Sequence, residues 1–114
     1  EASFAHEYGF GGKVDLHSPS TGIVVDFKGK DGDLSDGKKL AYDQNEQLGA
    51  YQLGLRLPPS AGANVFVSRT HPGCAKGHKW SVDEMRAGGL VFIDCLQLWK
   101  RIKNYRPTLQ AEAA

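Results

Sequence analysis

Asp15, Asp26 and Lys28 are the residues whose types and spacing in this 114-residue chain suit a chemical step. Hydrolysis of a phosphodiester needs a divalent cation to neutralise developing charge and a water placed in line with the leaving oxygen. Hard cations such as magnesium prefer carboxylate oxygens. Asp15 from one strand and Asp26 from the next can converge on one ion, with the Phe27 backbone carbonyl as a third ligand. Lys28 stands two residues beyond Asp26 and emerges on the same strand face. There it can orient or help deprotonate the attacking water and balance negative charge. An Asp-x-Lys tripeptide alone is more often a surface ion pair on a hairpin, so the reading depends on its surroundings.

Three short extended segments can carry these side chains, residues 3–10, 13–17 and 23–28, separated by Gly11-Gly12 and by Ser18-Pro19-Ser20-Thr21-Gly22. The last two are expected to form an antiparallel hairpin. Within Ile23-Val24-Val25-Asp26-Phe27-Lys28 the alternation predicts that Val25 and Phe27 build core while Asp26 and Lys28 form a charged face. Residues 40–57 carry Leu48, Tyr51 and Leu55 at helical spacing and stop at Pro58-Pro59, which predicts a first helix. Residues 63–68, centred on Val65-Phe66-Val67, predict a further strand, and residues 69–79 a loop. Ser81-Val82-Asp83-Glu84 matches a capping box and opens a long helix with Met85, Gly89, Phe92, Leu96 and Trp99 on one face, stopped by Pro107. Cys95, set among Val91, Phe92, Ile93 and Leu96, reads as a small core residue.

Three runs in order sharpen the reading: Gly9-Phe10-Gly11-Gly12-Lys13-Val14-Asp15-Leu16, then Ile23-Val24-Val25-Asp26-Phe27-Lys28, then Gln47-Leu48-Gly49-Ala50-Tyr51. Together they resemble the RecB-like, phage-type exonuclease branch of the PD-(D/E)XK nucleases, known by a G-x-x-D strand, a hydrophobic D-x-K strand and a Q-x-x-x-Y helix. The resemblance runs from about Phe4 to Leu57. It implies an α/β fold with a restriction-endonuclease-like core, a small mixed sheet of four strands flanked by helices. It implies a magnesium- or manganese-dependent deoxyribonuclease, exonuclease-like, in which Asp15 and Asp26 bind metal and Lys28 is the catalytic lysine. Gln47 and Tyr51 would line the site and contact DNA; residues four apart share a helix face, which supports the pairing independently. Plain core packing is the other reading of Tyr51. Many members carry another acidic residue upstream, which Glu7 could supply, although a solvated strand carboxylate explains it equally. The alternative function is a nucleic-acid-binding module that keeps the nuclease fold without turnover.

Length and composition, with 40% hydrophobic and 24% charged residues, predict one globular domain over residues 1–114. The chain begins at Glu1, so a family N-terminal helix upstream is expected to be missing from it. No apolar run suggests a membrane span and no leader is evident, which predicts a cytoplasmic protein, of the host if viral. Two cysteines exclude a four-thiolate cluster, and the absence of a G-x-x-x-x-G-K-[ST] run argues against a nucleoside triphosphate. His71, Cys74 and His78 are too few ligands on one loop for a zinc site. Residues 1–46 hold five Lys or Arg against nine Asp or Glu, and the remainder nine against four, so an acidic part adjoins a basic one. Lys30, Lys38 and Lys39 in one loop, and Arg69, Lys76, Lys79 and Arg86 further on, are candidates to track a phosphate backbone. Trp80 reads as an anchor for its loop.

Overall fold

The frame for the aspartates is set by where the chain can reverse and where its β-branched residues find partners. The computed structural model describes residues 2–35, 37 and 39–105; Lys38 and Pro107 lie outside them. Strands β1 (Ala2–His6) and β2 (Phe10–Val14) form an antiparallel hairpin, with Ala2 opposite Val14 and His6 opposite Phe10. The single strand expected over residues 3–10 is therefore broken at residues 7–9. Gly9 adopts φ 92° and donates its N–H to the His6 carbonyl at 2.9 Å, a reversal that side-chain-bearing residues resist.

Past Asp15, strand β3 (Leu16–His17) pairs antiparallel with β4 (Val24–Lys30), as the sequence predicts. Strand β5 (Gly62–Ser68) runs parallel to β4, and β6 (Ala75–Trp80) is antiparallel to β5. The result is a mixed four-stranded sheet in the order β3-β4-β5-β6, joined to two helices in an α/β domain. β6 replaces part of the loop expected over residues 69–79. It is an exposed edge strand apart from Trp80, so Ala-Lys-Gly-His-Lys carries no apolar alternation to betray it.

Helix α1 spans Gln44–Gly54 and α2 spans Val82–Lys103. α1 is shorter than the helix expected over residues 40–57. At its start the Gln44 amide bonds the Leu40 carbonyl and accepts the Tyr42 N–H, which holds the preceding turn outside the helix. At its end the Leu57 N–H bonds Gln52 and the Arg56 N–H bonds Leu53, a Schellman closure with Arg56 at φ 54°. Glycine takes that conformation without strain, so Arg56→Gly is expected to stabilise the fold by roughly 0.5–1 kcal/mol even though it removes the exposed Arg56–Glu7 contact. A fall in Tm in that variant would refute the account of the helix end.

The capping box forms as predicted: Ser81 Oγ accepts the Glu84 N–H at 3.1 Å and Glu84 Oε1 accepts the Ser81 N–H at 3.0 Å. The Ser81 N–H, with the Ser81 hydroxyl beside it, holds the Glu84 carboxyl below its ordinary value of 4.5. A depressed folded value means stability that is present above the unfolded value and lost as pH falls through the folded one. Tm is thus expected to drop on acidification below about 4.5, and to drop less in Glu84→Gln; equal slopes in both proteins would discount the cap.

Both helices lie on one face of the sheet, where Val14, Val24, Leu48, Phe66 and Met85 form the core. This reverses the expected assignment of strand faces in β4. Asp26 is 5% exposed, whereas Phe27 is 50% exposed on the face no helix covers. The helices cover the Val24-Asp26 side, and Lys28 supplies the countercharge that lets a carboxylate stay there. Cys95 is likewise exposed, not a core residue, because no other element covers the side of α2 that carries it. Trp99 at 45% exposure shares this fate, while Met85, Gly89 and Leu96 are buried as the periodicity predicts. No helix among the described residues is long and apolar enough to cross a membrane.

Candidate active site

Asp15 sits where the chain leaves β2 and enters β3, directly beside the middle of β4. The Phe27 N–H donates to Asp15 Oδ2 at 2.9 Å and fixes the carboxylate there. In an extended strand the N–H and C=O of one residue point to the same edge, so the Phe27 carbonyl faces the Asp15 side. Asp26 and Lys28 lie on the helix-covered face of β4, opposite the Phe27 side chain, and the Lys28 ammonium lies 2.9 Å from Asp26 Oδ2.

From Lys28 the contacts run on into α1. Lys28 Nζ donates to Gln47 Oε1 at 2.8 Å, and Gln47 Nε2 donates to Tyr51 Oη at 2.6 Å. An ammonium only donates, so the Gln47 oxygen must face it and the Gln47 amide must face the tyrosine. The Tyr51 hydroxyl proton is then left free for another acceptor. The expected pairing of residues four apart is what makes this possible, since both side chains rise from one face of α1. The Tyr51 ring also packs edge-on against Phe4 at 6.1 Å, so core packing and polar contact are both served.

The two carboxylates are driven apart in acidity. The Phe27 N–H, with help from Asp26 and Lys28, holds Asp15 below the usual carboxylate range. Burial pushes Asp26 above it; Lys28 opposes that push and Asp15 reinforces it. The Lys28 ammonium is the partner of the buried Asp26 Oδ2 at 2.9 Å, and no other N–H or O–H among the described residues donates to that oxygen. A buried carboxylate held by a single ammonium, a second carboxylate and a backbone carbonyl on the Asp15 side are oxygen donors of the kind a hard divalent cation takes. Among the described residues no cluster of three or more His, Cys, Asp or Glu side chains is placed to hold a metal. A cation here would therefore rest on Asp15, Asp26, the Phe27 carbonyl and water.

Five of the predicted site residues thus converge. Glu7 does not join them: it lies in the β1–β2 turn and pairs with Arg56 at 3.3 Å. Lys76 and Lys79 stand three apart on β6, so they leave opposite faces of the strand and do not share one patch, and Arg69 is paired with Asp31 at 3.0 Å. Trp80 is the anchor expected of it, but its partner was missed. Trp80 Nε1 donates at 2.8 Å to Asn64, whose amide reaches back to the Asp26 carbonyl at 3.4 Å. Asn64 is fully buried beside Asp26 in the β4–β5 register. The signal was present: asparagine is disfavoured in mid-strand, and one inside Ala63-Asn64-Val65-Phe66-Val67 asks for a reason.

A cleft of about 460 Å³ adjoins Gln47 and Tyr51, walled by Phe4, Phe10 and Phe92. A second of about 480 Å³ lies between α1 and α2 near Leu53, Met85 and Leu90 and holds none of the converging residues. No family model matches this chain, and no curated protein matches it.

Proposed function

We propose that this domain is a metal-dependent nuclease with a restriction-endonuclease-like core that hydrolyses phosphodiester bonds of DNA. The observation that carries the reading is the unbroken line from Asp26 through Lys28 and Gln47 to Tyr51, facing a second carboxylate at Asp15. A structural ion pair needs only its two members; it has no use for a second carboxylate beside it or for a glutamine and a tyrosine that extend the line.

Magnesium or manganese, when bound by Asp15, Asp26 and the Phe27 carbonyl, would supply charge neutralisation at the scissile phosphate and an acidified water. The remaining work falls to the chain. Asp26 and Gln47 hold the Lys28 ammonium in place, from which it orients the attacking water and stabilises charge on a phosphate oxygen. Gln47 sets the Tyr51 hydroxyl to donate to the phosphate backbone. The raised Asp26 and lowered Asp15 mark a carboxylate pair that would rather share a cation than face each other alone.

The test is cleavage of end-labelled and circular DNA in magnesium, in manganese and in chelator. Metal-dependent cutting is expected, and Lys28→Ala should lower its rate by about 10²–10⁴-fold at a temperature where circular dichroism shows the variant folded, its Tm falling because the buried Asp26 loses its countercharge. Cutting of the circular substrate would make the enzyme an endonuclease; cutting from ends alone would make it an exonuclease. Full activity in chelator or in Lys28→Ala would overturn the assignment.

A further inference from the structure

Helix α2 carries two apolar stripes. One, through Met85, Gly89 and Leu96, faces the domain. The other, Val91, Cys95, Leu98 and Ile102, recurs at intervals of four, three and four residues and faces solvent: Val91 is 42%, Leu98 60% and Ile102 70% exposed, and Cys95 is exposed as well. That spacing has the 3.5-residue period of a helix–helix seam.

We propose that this stripe is the seam of an antiparallel α2–α2 pair between two copies of the chain. A two-fold axis near residues 96 and 97 sets Val91 against Ile102 of the second copy and Cys95 against its Leu98, so each layer joins one position of the heptad to the other. The same register brings Asp94 beside Arg101 of the second copy, and symmetry repeats the pair. Both residues are exposed, and neither is in an ion pair among the described residues. On the other flank Trp99, half-exposed and tilted against Tyr105 at 5.1 Å, comes beside Phe92 of the second copy, which stays packed on Phe10 of its own domain. A parallel pair would set Asp94 against Trp99 instead, so the charge pattern selects the antiparallel arrangement. The seam runs from Val91 to Ile102, short against a standard interface of roughly 800 Å² per partner, so a high protein concentration is the condition in which to look for the pair. The inference does not depend on the proposed reaction, because none of Val91, Cys95, Leu98 and Ile102 belongs to the site.

Sedimentation of the chain at concentrations on the order of 100 µM tests it. A dimer is expected, and Leu98→Glu should give a monomer with unchanged circular dichroism. Asp94→Arg and Arg101→Asp should each weaken the dimer at least about fivefold, and the two together should restore it to within about twofold. Oxidised Leu98→Cys should form a disulfide between Cys95 and position 98 of the other copy, located by mass spectrometry. A monomer at that concentration, a double swap that fails to restore pairing, or a Cys95–Cys95 disulfide in the unmodified chain would each overturn the proposal.

Discussion

Asp26→Asn is expected to leave Tm within a few degrees of the parent while lowering magnesium-supported cleavage by at least about 10³-fold. The two effects separate because Asp26 is a poor structural residue and, on the proposed reading, the central functional one. Asp26 is 5% exposed, its Oδ2 has the Lys28 ammonium as its one partner among the described residues, and its pKa is pushed upward first by burial and further by Asp15. An amide of the same shape removes that buried charge and its repulsion with Asp15. The cost is the ion pair to Lys28, which remains about one-third exposed and keeps its bond to Gln47. Gain and loss are of similar size, so stability changes little. Cation affinity does not survive, since a neutral ligand replaces the buried negative one. Magnesium should accordingly raise the Tm of the parent and leave that of Asp26→Asn in place. A variant that unfolds, or that still cuts DNA at the parental rate, would show that Asp26 is a structural half of a salt bridge and nothing more.

Gly49→Ala carries the largest expected loss of stability, roughly 2–4 kcal/mol, or a Tm about 10–20 °C lower. A Cβ at Gly49 would stand 2.4 Å from the Gly89 nitrogen and 2.5 Å from the Met85 carbonyl oxygen, both backbone atoms of α2. Backbone cannot turn aside as a side chain can, so the helices must separate. Gly88 makes the same crossing tight from the other side, its Cβ position lying 2.3 Å from the Asn45 carbonyl oxygen. Gln47 and Tyr51 rise from α1 on either side of Gly49, so the displacement reaches the Lys28 contact as well. Gly77→Ala is the control: nothing lies within 4 Å of its Cβ position, and its Tm should stay the same or rise slightly. Equal, small effects in both variants would mean that α1 and α2 pack less closely than these distances state.

Much of the candidate site was legible before any coordinates. Asp15, Asp26 and Lys28 come together because a hairpin has a fixed period of two, and Gln47 joins Tyr51 because a helix has a fixed period of 3.6. The Ser81–Glu84 cap formed as spelled, since both partners lie within one turn of chain. Local geometry of this kind is written in local sequence. Fold class followed from the same patterns, with two amphipathic helices and strands of β-branched residues leading to a mixed sheet in an α/β domain.

What tertiary structure alone decided is which side of each element another element covers. Alternation along β4 marks two faces but does not say which one the helices take, and they took the face of Asp26. The same limit exposed Cys95, whose apolar neighbours describe a stripe without saying whether a partner lies on it. β6 is a strand because β5 offers an unpaired edge, and no property of Ala-Lys-Gly-His-Lys announces that. Asn64 matters through Trp80 and the Asp26 carbonyl, 16 and 38 residues away along the chain. Periodicity fixes directions within a strand or helix; coverage, edge pairing and long-range hydrogen bonds belong to the packed domain, because they depend on the distance between elements and not on the order of residues within one.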